Sequence, residues 1–272
     1  MCRLDDEKAD VRRCNMNMKR IYNEEDMFPR EFTMWEERAY GYLFYNEENK
    51  DSYDSNHALI YKEKITDLKH TLEEITQFYT AKGMTPILYQ SISDDGYFEE
   101  IEQELLKNGF DSWMETQNYM VLSEKNVIVP NQEIVVQKVS TWKDEYAVEI
   151  FEKAEEPWEI AVAKKMIENR NTLFFVASHQ GKPVGMLYGH VKEDVCRGDY
   201  MLVSKEARNI GVGRALMNSF VTYCNENQVK NCFLWPDGET AERIYYEAGF
   251  RYVETKKAGR AVYRRDSRIA GE

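Results

Sequence analysis

The chain has 272 residues, which is enough for two ordinary domains or one large one. Its residues are 43% hydrophobic and 13% aromatic, so packed cores are expected and global disorder is excluded. The 36 Lys and Arg residues face 48 Asp and Glu residues, and a formal net charge of -12 argues against nucleic acid as a partner.

The cysteines and the apolar segments indicate the cellular compartment. Five cysteines occur without CxxC or metal-ligand spacing, so we expect free thiols, buried at Cys224 and Cys232, and no metal site. Residues 2–19 are rich in charge, which argues against a signal peptide, and no apolar stretch reaches the roughly twenty residues that a spanning helix needs. We therefore expect a cytoplasmic protein with no membrane partner.

The first half alternates strand-like and helix-like segments. Apolar periodicity and composition predict strands at Ala39–Tyr45, His57–Tyr61, Thr85–Gln90 and Trp113–Leu122, and helices at Ile65–Lys82 and Tyr97–Lys107. The second helix ends at Asn108-Gly109, which is a helix-capping signal. A polar stretch ending in Val129-Pro130-Asn131-Gln132 is interpreted as a linker, which predicts domains at 1–128 and 132–268.

The second half repeats the alternation. It predicts strands at Ile134–Val139, Leu173–Ser178, Val184–Val191, Tyr200–Val203 and Cys232–Trp235, a strand pair over Arg251–Tyr263, and helices at Thr141–Lys153, Trp158–Asn169, Gly211–Asn225 and Glu239–Ala248. The fold class expected is mixed α/β, with a twisted mixed sheet flanked by helices in each half. LLKNGFDSWMET (105–116) resembles YYEAGFRYVET (245–255), and with the similar order of elements this favours an old tandem duplication.

A glycine-containing loop before a helix is the most informative segment. Met201, Leu202 and Val203 form a short apolar strand, and the loop that follows has the sequence Arg208-Asn209-Ile210-Gly211-Val212-Gly213. Glycines let the backbone approach a ligand, and the unpaired N–H groups and dipole of a helix N-terminus favour an anion. Arg208 and Arg214 add positive charge, so a pyrophosphate is the ligand that this segment favours. The loop is neither a Walker A motif nor a GxGxxG fingerprint.

This segment resembles the GNAT acyltransferase superfamily, whose signature is Arg or Gln, two residues, Gly, one residue, then Gly or Ala. Arg208 to Gly213 fits every fixed position, and Val203 matches the strand valine that usually precedes the loop. The resemblance implies that backbone N–H groups of residues 209–213 bind the pyrophosphate of coenzyme A. It also implies that the strand 201–203 pairs with the pantetheine arm of acetyl-CoA.

A second resemblance lies in Ala241 to Phe250, where the family places a Tyr four residues before Gly-Phe. By that match Tyr245 is the residue that the family often uses as general acid, because a phenol can protonate the departing thiolate. The alternative for Tyr245 is a tyrosine that packs in the core or against the cofactor. One departure is Gly238, where the family often has Asn.

Three acidic residues are candidates for the general base. Asp199 shares a strand face with residues 201 and 203 under period-two alternation, which places it near the reacting carbon. Glu193 and Asp194 are outer candidates, and each of the three acids has the alternative of a solvated hairpin charge. The HxxxD spacing from His190 lacks the paired His of another acyltransferase class and is interpreted as a hairpin end.

The function expected from the resemblance is N-acetyl transfer from acetyl-CoA to a primary amine of a small molecule or peptide by direct attack. The alternative is a non-catalytic module that senses coenzyme A or binds a partner. The first half has no glycine between Gly41 and Gly83, and Leu105 stands where the repeat of Tyr245 would fall, so it is expected to be a degenerate GNAT-like domain. It would line the acceptor pocket, complete the fold or provide the interface of a homodimer.

Overall fold

The computed structural model of the protein describes residues 18–151 and 157–264. These residues fall into two compact units. The amino-terminal unit contains residues 25–117 and 255–264, and the carboxyl-terminal unit contains residues 18–24, 118–151 and 157–254. The division falls inside two long strands, after Gln117 and after Glu254, and not at the predicted linker near Pro130. The units therefore differ from the predicted ranges 1–128 and 132–268.

The amino-terminal unit is a mixed sheet with helices. Its elements, taken with the helix and the strands that cross its boundary, are α1 (Met18–Met27), β1 (Met34–Arg38), β2 (Gly41–Tyr45), β3 (His57–Ile60), α2 (Leu68–Ala81), β4 (Ile87–Gln90), α3 (Tyr97–Glu100), α4 (Glu102–Lys107), β5 (Phe110–Leu122) and β11 (Phe250–Tyr263). The strand order is β1-β2-β3-β4-β11-β5, and β3 and β4 are parallel. The α2 helix begins where Asp67 accepts a hydrogen bond from the backbone N–H of His70 at 3.0 Å, and it buries Leu72, Ile75 and Tyr79.

The carboxyl-terminal unit contains the remaining strands. Its further elements are β6 (Ile134–Val139), α5 (Asp144–Glu149), α6 (Pro157–Glu168), β7 (Thr172–His179), β8 (Lys182–Lys192), β9 (Val195–Val203), α7 (Val212–Glu226), β10 (Asn231–Leu234) and α8 (Glu239–Ala248). The order β5-β10-β9-β8-β7-β6 is antiparallel except for the β9–β10 pair. Because α7 connects these two parallel strands, β9, α7 and β10 form one βαβ unit.

Most elements after residue 132 were predicted from the sequence, with three corrections. The predicted helix Thr141–Lys153 is described only as Asp144–Glu149, and its end at 152–153 lies outside the described residues. The predicted strand pair over Arg251–Tyr263 is one continuous strand, β11. Gly259 lies inside this strand and makes no turn. A Cβ there would lie 2.3 Å from Gln90 Oε1, so the glycine permits the close approach of the Gln90 side chain. The β9 strand begins at Val195, five residues earlier than predicted.

Two elements near the start of the chain, α1 and β1, were not predicted. Their positions in the sequence carry many charged residues, and the β1 side chains are all exposed or half-buried. Within the described ranges, every helix is too short or too polar to cross a membrane.

Gly249 closes α8 and is a critical position for packing. Its φ is 100°, and a Cβ would lie 2.4 Å from the backbone oxygen of Glu124. We expect Gly249→Ala to lower the free energy of unfolding by about 2–4 kcal/mol, because backbone strain and a clash with another backbone add together. Urea unfolding followed by tryptophan fluorescence measures this change.

The matched control is Gly181→Ala, in the β7–β8 turn. Gly181 also has a positive φ, 81°, but an added Cβ there would have no atom within 4 Å. Strain alone should cost about 1 kcal/mol at this position. Equal losses in the two variants would contradict the proposed contribution of the Glu124 contact.

Candidate active site

The loop between β9 and α7 has a left-handed backbone at two positions. Asn209 has φ 65° and Gly211 has φ 96°, both in the left-handed region that Asn and Gly tolerate best. The first intrahelical hydrogen bond of α7 runs from the Ala215 N–H to the Gly211 carbonyl oxygen at 3.0 Å. The N–H groups of residues 211–214 therefore precede the helical ladder, which leaves them as donors at the positive end of the helix dipole. This geometry suits a bound anion.

Neighbouring residues support the loop from behind. The Asn131 side chain donates a hydrogen bond from Nδ2 to the Ile210 carbonyl oxygen at 3.0 Å. A Cβ on Gly213 would lie 3.2 Å from Ile244 Cδ1 and 3.7 Å from the Met201 side chain. The second glycine of the motif thus allows α7 to pack closely against α8 and β9.

The two arginines of the loop have different surroundings. Arg208 is exposed, and within the described part of the chain no ion pair involves it. Arg214 instead donates two hydrogen bonds to Glu247 on α8, Nε to Oε2 at 2.5 Å and Nη2 to Oε1 at 2.7 Å. The prediction that Arg214 adds free positive charge at the phosphate position is therefore corrected, since its charge is neutralised by this carboxylate.

The parallel β9–β10 pair separates at the carboxyl end of its strands. Its register ends where Arg197 lies opposite Phe233, whereas β9 continues to Val203. The last residues of β10 pair on the other side with β5, Leu234 lying opposite Met120. Among the described residues, Met201 to Val203 have no strand partner on the β10 side. The strands β9 and β10 therefore separate beside the loop, and within this described part of the chain backbone groups of β9 have no partner on that side.

A β-bulge changes the predicted orientation of Asp199. Gly198 pairs with Gly189 and Tyr200 pairs with Tyr188, so Asp199 is an extra residue in β9. Met201 and Val203 pack in the core that contains α7. Asp199 instead binds Arg197, and Tyr200 stacks on Tyr188 with ring centroids 5.7 Å apart.

The prediction that Asp199 shares a face with residues 201 and 203 is therefore wrong, because the bulge interrupts the period of two. Sequence reasoning also missed the partners in this part of the site. The Tyr200 hydroxyl donates to Glu159 Oε2 on α6 at 2.9 Å, and Arg197 pairs with Asp199. Pairs that join residues 41 positions apart leave no signal in a local pattern.

Tyr245 lies on α8 and is 9% exposed. Burial, followed by the negative charges of Asp237 and Asp199, raises the pKa of its phenol to about 12. The phenol therefore stays protonated at neutral pH. Within the described residues its hydroxyl has no hydrogen-bond partner, and its ring lies 6.2 Å from that of Phe250. The geometry leaves the proton of this hydroxyl available to a ligand.

Two outer candidates lie away from this region. Glu193 and Asp194 follow β8, at the far end of the β8–β9 hairpin, and both form ion pairs with Arg20 of α1. Asp194 also accepts a hydrogen bond from Asn231 Nδ2 at 3.2 Å, at the start of β10. They stand at the opposite end of β9 from Met201 and do not join the loop.

Residues 134–262 match the family model described as an acetyltransferase (GNAT) domain. This part of the chain is therefore a domain of the GNAT acetyltransferase family. The match includes the loop 208–213 and Tyr245, and it begins at the first residue of β6. No curated protein sequence matches the chain.

Solved structures share the fold at low sequence identity. A GCN5-related N-acetyltransferase from Kribbella flavida has a TM-score of 0.63 at 12% identity and covers 91% of this chain and 95% of its own. A functionally unknown conserved protein from Staphylococcus epidermidis ATCC 12228 has a TM-score of 0.61 at 15% identity, with coverage of 92% and 99%. A tandem GNAT protein from the clavulanic acid biosynthesis pathway has a TM-score of 0.51 at 12% identity, with coverage of 73% and 69%. The chain thus has the mixed α/β architecture of GNAT proteins, including a tandem one.

The Arg214–Glu247 pair gives a pH-dependent prediction. The hydrogen bond from Arg214 lowers the pKa of the Glu247 carboxyl, so the pair stabilises the fold above the unfolded-state pKa of glutamate, about 4.3. That stabilisation is lost as the pH falls through the lowered folded-state pKa. Because both side chains are about a third exposed, Glu247→Gln should cost only about 0.5–1 kcal/mol at pH 7.

Thermal unfolding measured between pH 7 and pH 3 tests this expectation. The difference between the wild type and Glu247→Gln should narrow toward the acid end of the range. Glu226→Gln, at the exposed end of α7, is the control and should change little throughout. A deficit in Glu247→Gln that does not depend on pH would contradict the ion-pair explanation.

Proposed function

We propose that the protein is an N-acetyltransferase that uses acetyl-CoA and acetylates a primary amine of a small molecule or peptide by direct attack. The main support for the proposal is a set of N–H donors at the N-terminus of α7. These donors lie beside the point where β9 and β10 stop pairing. A diphosphate needs such donors, and an amide-bearing arm needs an unpaired strand edge. Both features adjoin one buried tyrosine that can donate a proton.

Coenzyme A would bind along the loop and β9. The N–H groups of residues 209–213 would hold the pyrophosphate, with Arg208 adding charge, and the residues Met201 to Val203 would pair with the pantetheine amides. Arg214 would contribute indirectly, because its pair with Glu247 fixes α7 against α8. The two arginines are given different roles because, within the described residues, Arg214 is already paired with a carboxylate and Arg208 is not.

The proposed reaction has three parts. The neutral amine attacks the thioester carbonyl carbon, and a β9 N–H group stabilises the resulting oxyanion. The carbon–sulfur bond then breaks, and the Tyr245 hydroxyl gives its proton to the departing sulfur. The amine nitrogen gives up its extra proton to a carboxylate or to water, which restores the charge balance.

Asp199 is retained as the proposed acceptor of the amine proton, acting through water. Its carboxylate is paired with the Arg197 guanidinium. Its negative charge reaches Tyr245, since it contributes to the raised pKa of that phenol.

Tyr245→Phe removes the proposed acid and keeps the ring. We expect kcat to fall about 100-fold, within the range that general acid catalysis contributes, while the Kd for CoA changes less than about twofold. Thiol release from acetyl-CoA with a panel of primary amines gives kcat, and calorimetry gives the Kd. Tyr246→Phe, at the exposed neighbouring residue, is the matched control. An unchanged kcat across the pH range would remove Tyr245 from the mechanism.

Arg208→Ala tests the phosphate site without touching the reacting groups. Loss of a charge-assisted hydrogen bond should weaken CoA binding about tenfold or more. Lys230→Ala removes the same charge beyond the other end of α7, about 25 Å away along the helix, and should leave the affinity unchanged. Calorimetry with free CoA measures both. Equal effects of the two substitutions would indicate general electrostatics and not a site at the loop.

Gly238 supports the alternative function, a module that binds coenzyme A without catalysis. It is exposed, it has φ 87° and ψ 167°, and no atom would lie within 4 Å of an added Cβ. The side-chain contact that the family often makes from this position is therefore missing. Tight CoA binding without thiol release for any amine in the panel would favour this alternative.

Several expectations from composition remain predictions. The degenerate amino-terminal domain, the cytoplasmic location, the absence of nucleic-acid and membrane partners and the homodimer follow from charge, glycine positions and apolar runs. The acceptor is proposed only as a primary amine, since the acidic residues near Tyr245 favour a cationic ligand.

A further inference from the structure

Three cysteines that are distant in sequence meet in the core of the carboxyl-terminal unit. Cys196 and Cys232 are paired residues on the parallel strands β9 and β10, and Cys224 lies on α7, which packs over them. The Cys224 sulfur lies 3.9 Å from the Cys196 sulfur and 3.7 Å from the Cys232 sulfur. All three sulfur atoms lie within 4.8 Å of one another, and we call this group the thiol cluster.

Two of the three sulfur–sulfur distances match the spacing of three sulfur atoms around one metal ion. With metal–sulfur bonds of about 2.3 Å, three sulfurs around one ion lie about 4.0 Å apart. Both distances to Cys224 fall within about 0.3 Å of that value. Bringing the sulfurs onto one ion thus needs only small side-chain adjustments, and the βαβ framework already sets the three directions of approach.

The surroundings restrict the ion. Cys196 and Cys224 have no exposed surface and Cys232 is 1% exposed. Among the described residues no histidine or carboxylate joins the three sulfurs, so the ligand set is sulfur alone, which selects soft ions. Three thiolates with a divalent ion leave one net negative charge in the core, and a monovalent ion would leave two. Because buried charge is costly, the divalent ion is favoured.

We propose that the thiol cluster is a binding site for one soft divalent d10 metal ion of the Zn²⁺ type. Binding exchanges the three thiol protons for the ion, so that three S–H bonds break, three metal–sulfur bonds form and three protons pass to solvent. No oxidant or reductant is required.

This site is separate from the proposed acyl-transfer site. Cys224 lies twelve residues after Val212 along α7, about 18 Å along the helix axis. The ion would join the amino-terminal ends of β9 and β10 to the last turns of α7, whereas the phosphate loop lies at the other end of the same helix. The role of the ion is therefore structural, and its loss need not change acetyl-CoA chemistry directly.

The experiment uses the full chain with Cys2→Ala and Cys14→Ala, so that the thiol cluster provides the only thiols. Because the cluster is buried, the protein is unfolded in guanidinium and refolded with Zn²⁺ or Cd²⁺, and excess metal is removed. We expect about one ion per chain, a sulfur-to-cadmium charge-transfer absorption band and a melting temperature raised by about 5 °C or more. Cys224→Ala in the same background should abolish the band and lower the bound metal at least about tenfold.

A second measurement does not depend on whether Cys224→Ala folds. X-ray absorption of the zinc-loaded parent should show a first coordination shell of sulfur, without nitrogen or oxygen ligands. The proposal is overturned if the refolded parent binds no metal, if the band persists in Cys224→Ala, or if nitrogen or oxygen dominates the shell. The first of these results would mean that the three cysteines are ordinary packing residues.

Discussion

The βαβ unit made of β9, α7 and β10 is the constraint on which the rest of the carboxyl-terminal unit depends. Parallel strands joined by a helix place the helix N-terminus at the carboxyl end of the first strand. Here that geometry sets the N–H donors of α7 beside the last residues of β9. The β10 strand pairs with β9 only as far as Phe233 and then faces β5, so an edge of β9 opens beside the same donors.

Close packing behind this opening explains why Gly213 and Arg214 occur in the loop region, although both could also be taken for ligand-binding residues. Gly213 is small because Ile244 and Met201 lie against it, and Arg214 is held by Glu247. These contacts fix the angle between α7 and α8, and α8 carries Tyr245. The loop 208–213 and Tyr245 are therefore positioned by one packed interface, so a change in either helix would affect both.

Electrostatics in the site come from a few buried or half-buried groups. Tyr245 stays protonated because burial and two nearby carboxylates disfavour the phenolate. Asp199 is balanced by Arg197, and Tyr200 donates to Glu159. A cationic amine entering this region would meet carboxylates that are already oriented by partners, which reduces the cost of ordering them on binding. At the other end of α7 the thiol cluster is apolar until it ionises, so the two ends of the same helix differ in chemistry.

The sequence by itself determined the elements with strong local signals. The strand Ile134–Val139, the helix Glu239–Ala248 and the loop Arg208 to Gly213 could be placed because periodicity, caps and glycine spacing act over a few residues. Tertiary structure alone decided what depends on residues far apart in the chain. The bulge at Asp199, the Arg214–Glu247 pair and the meeting of three cysteines each follow from the register between strands or from helix packing. Register and packing are set by the whole sheet and its core, so a local pattern cannot specify them.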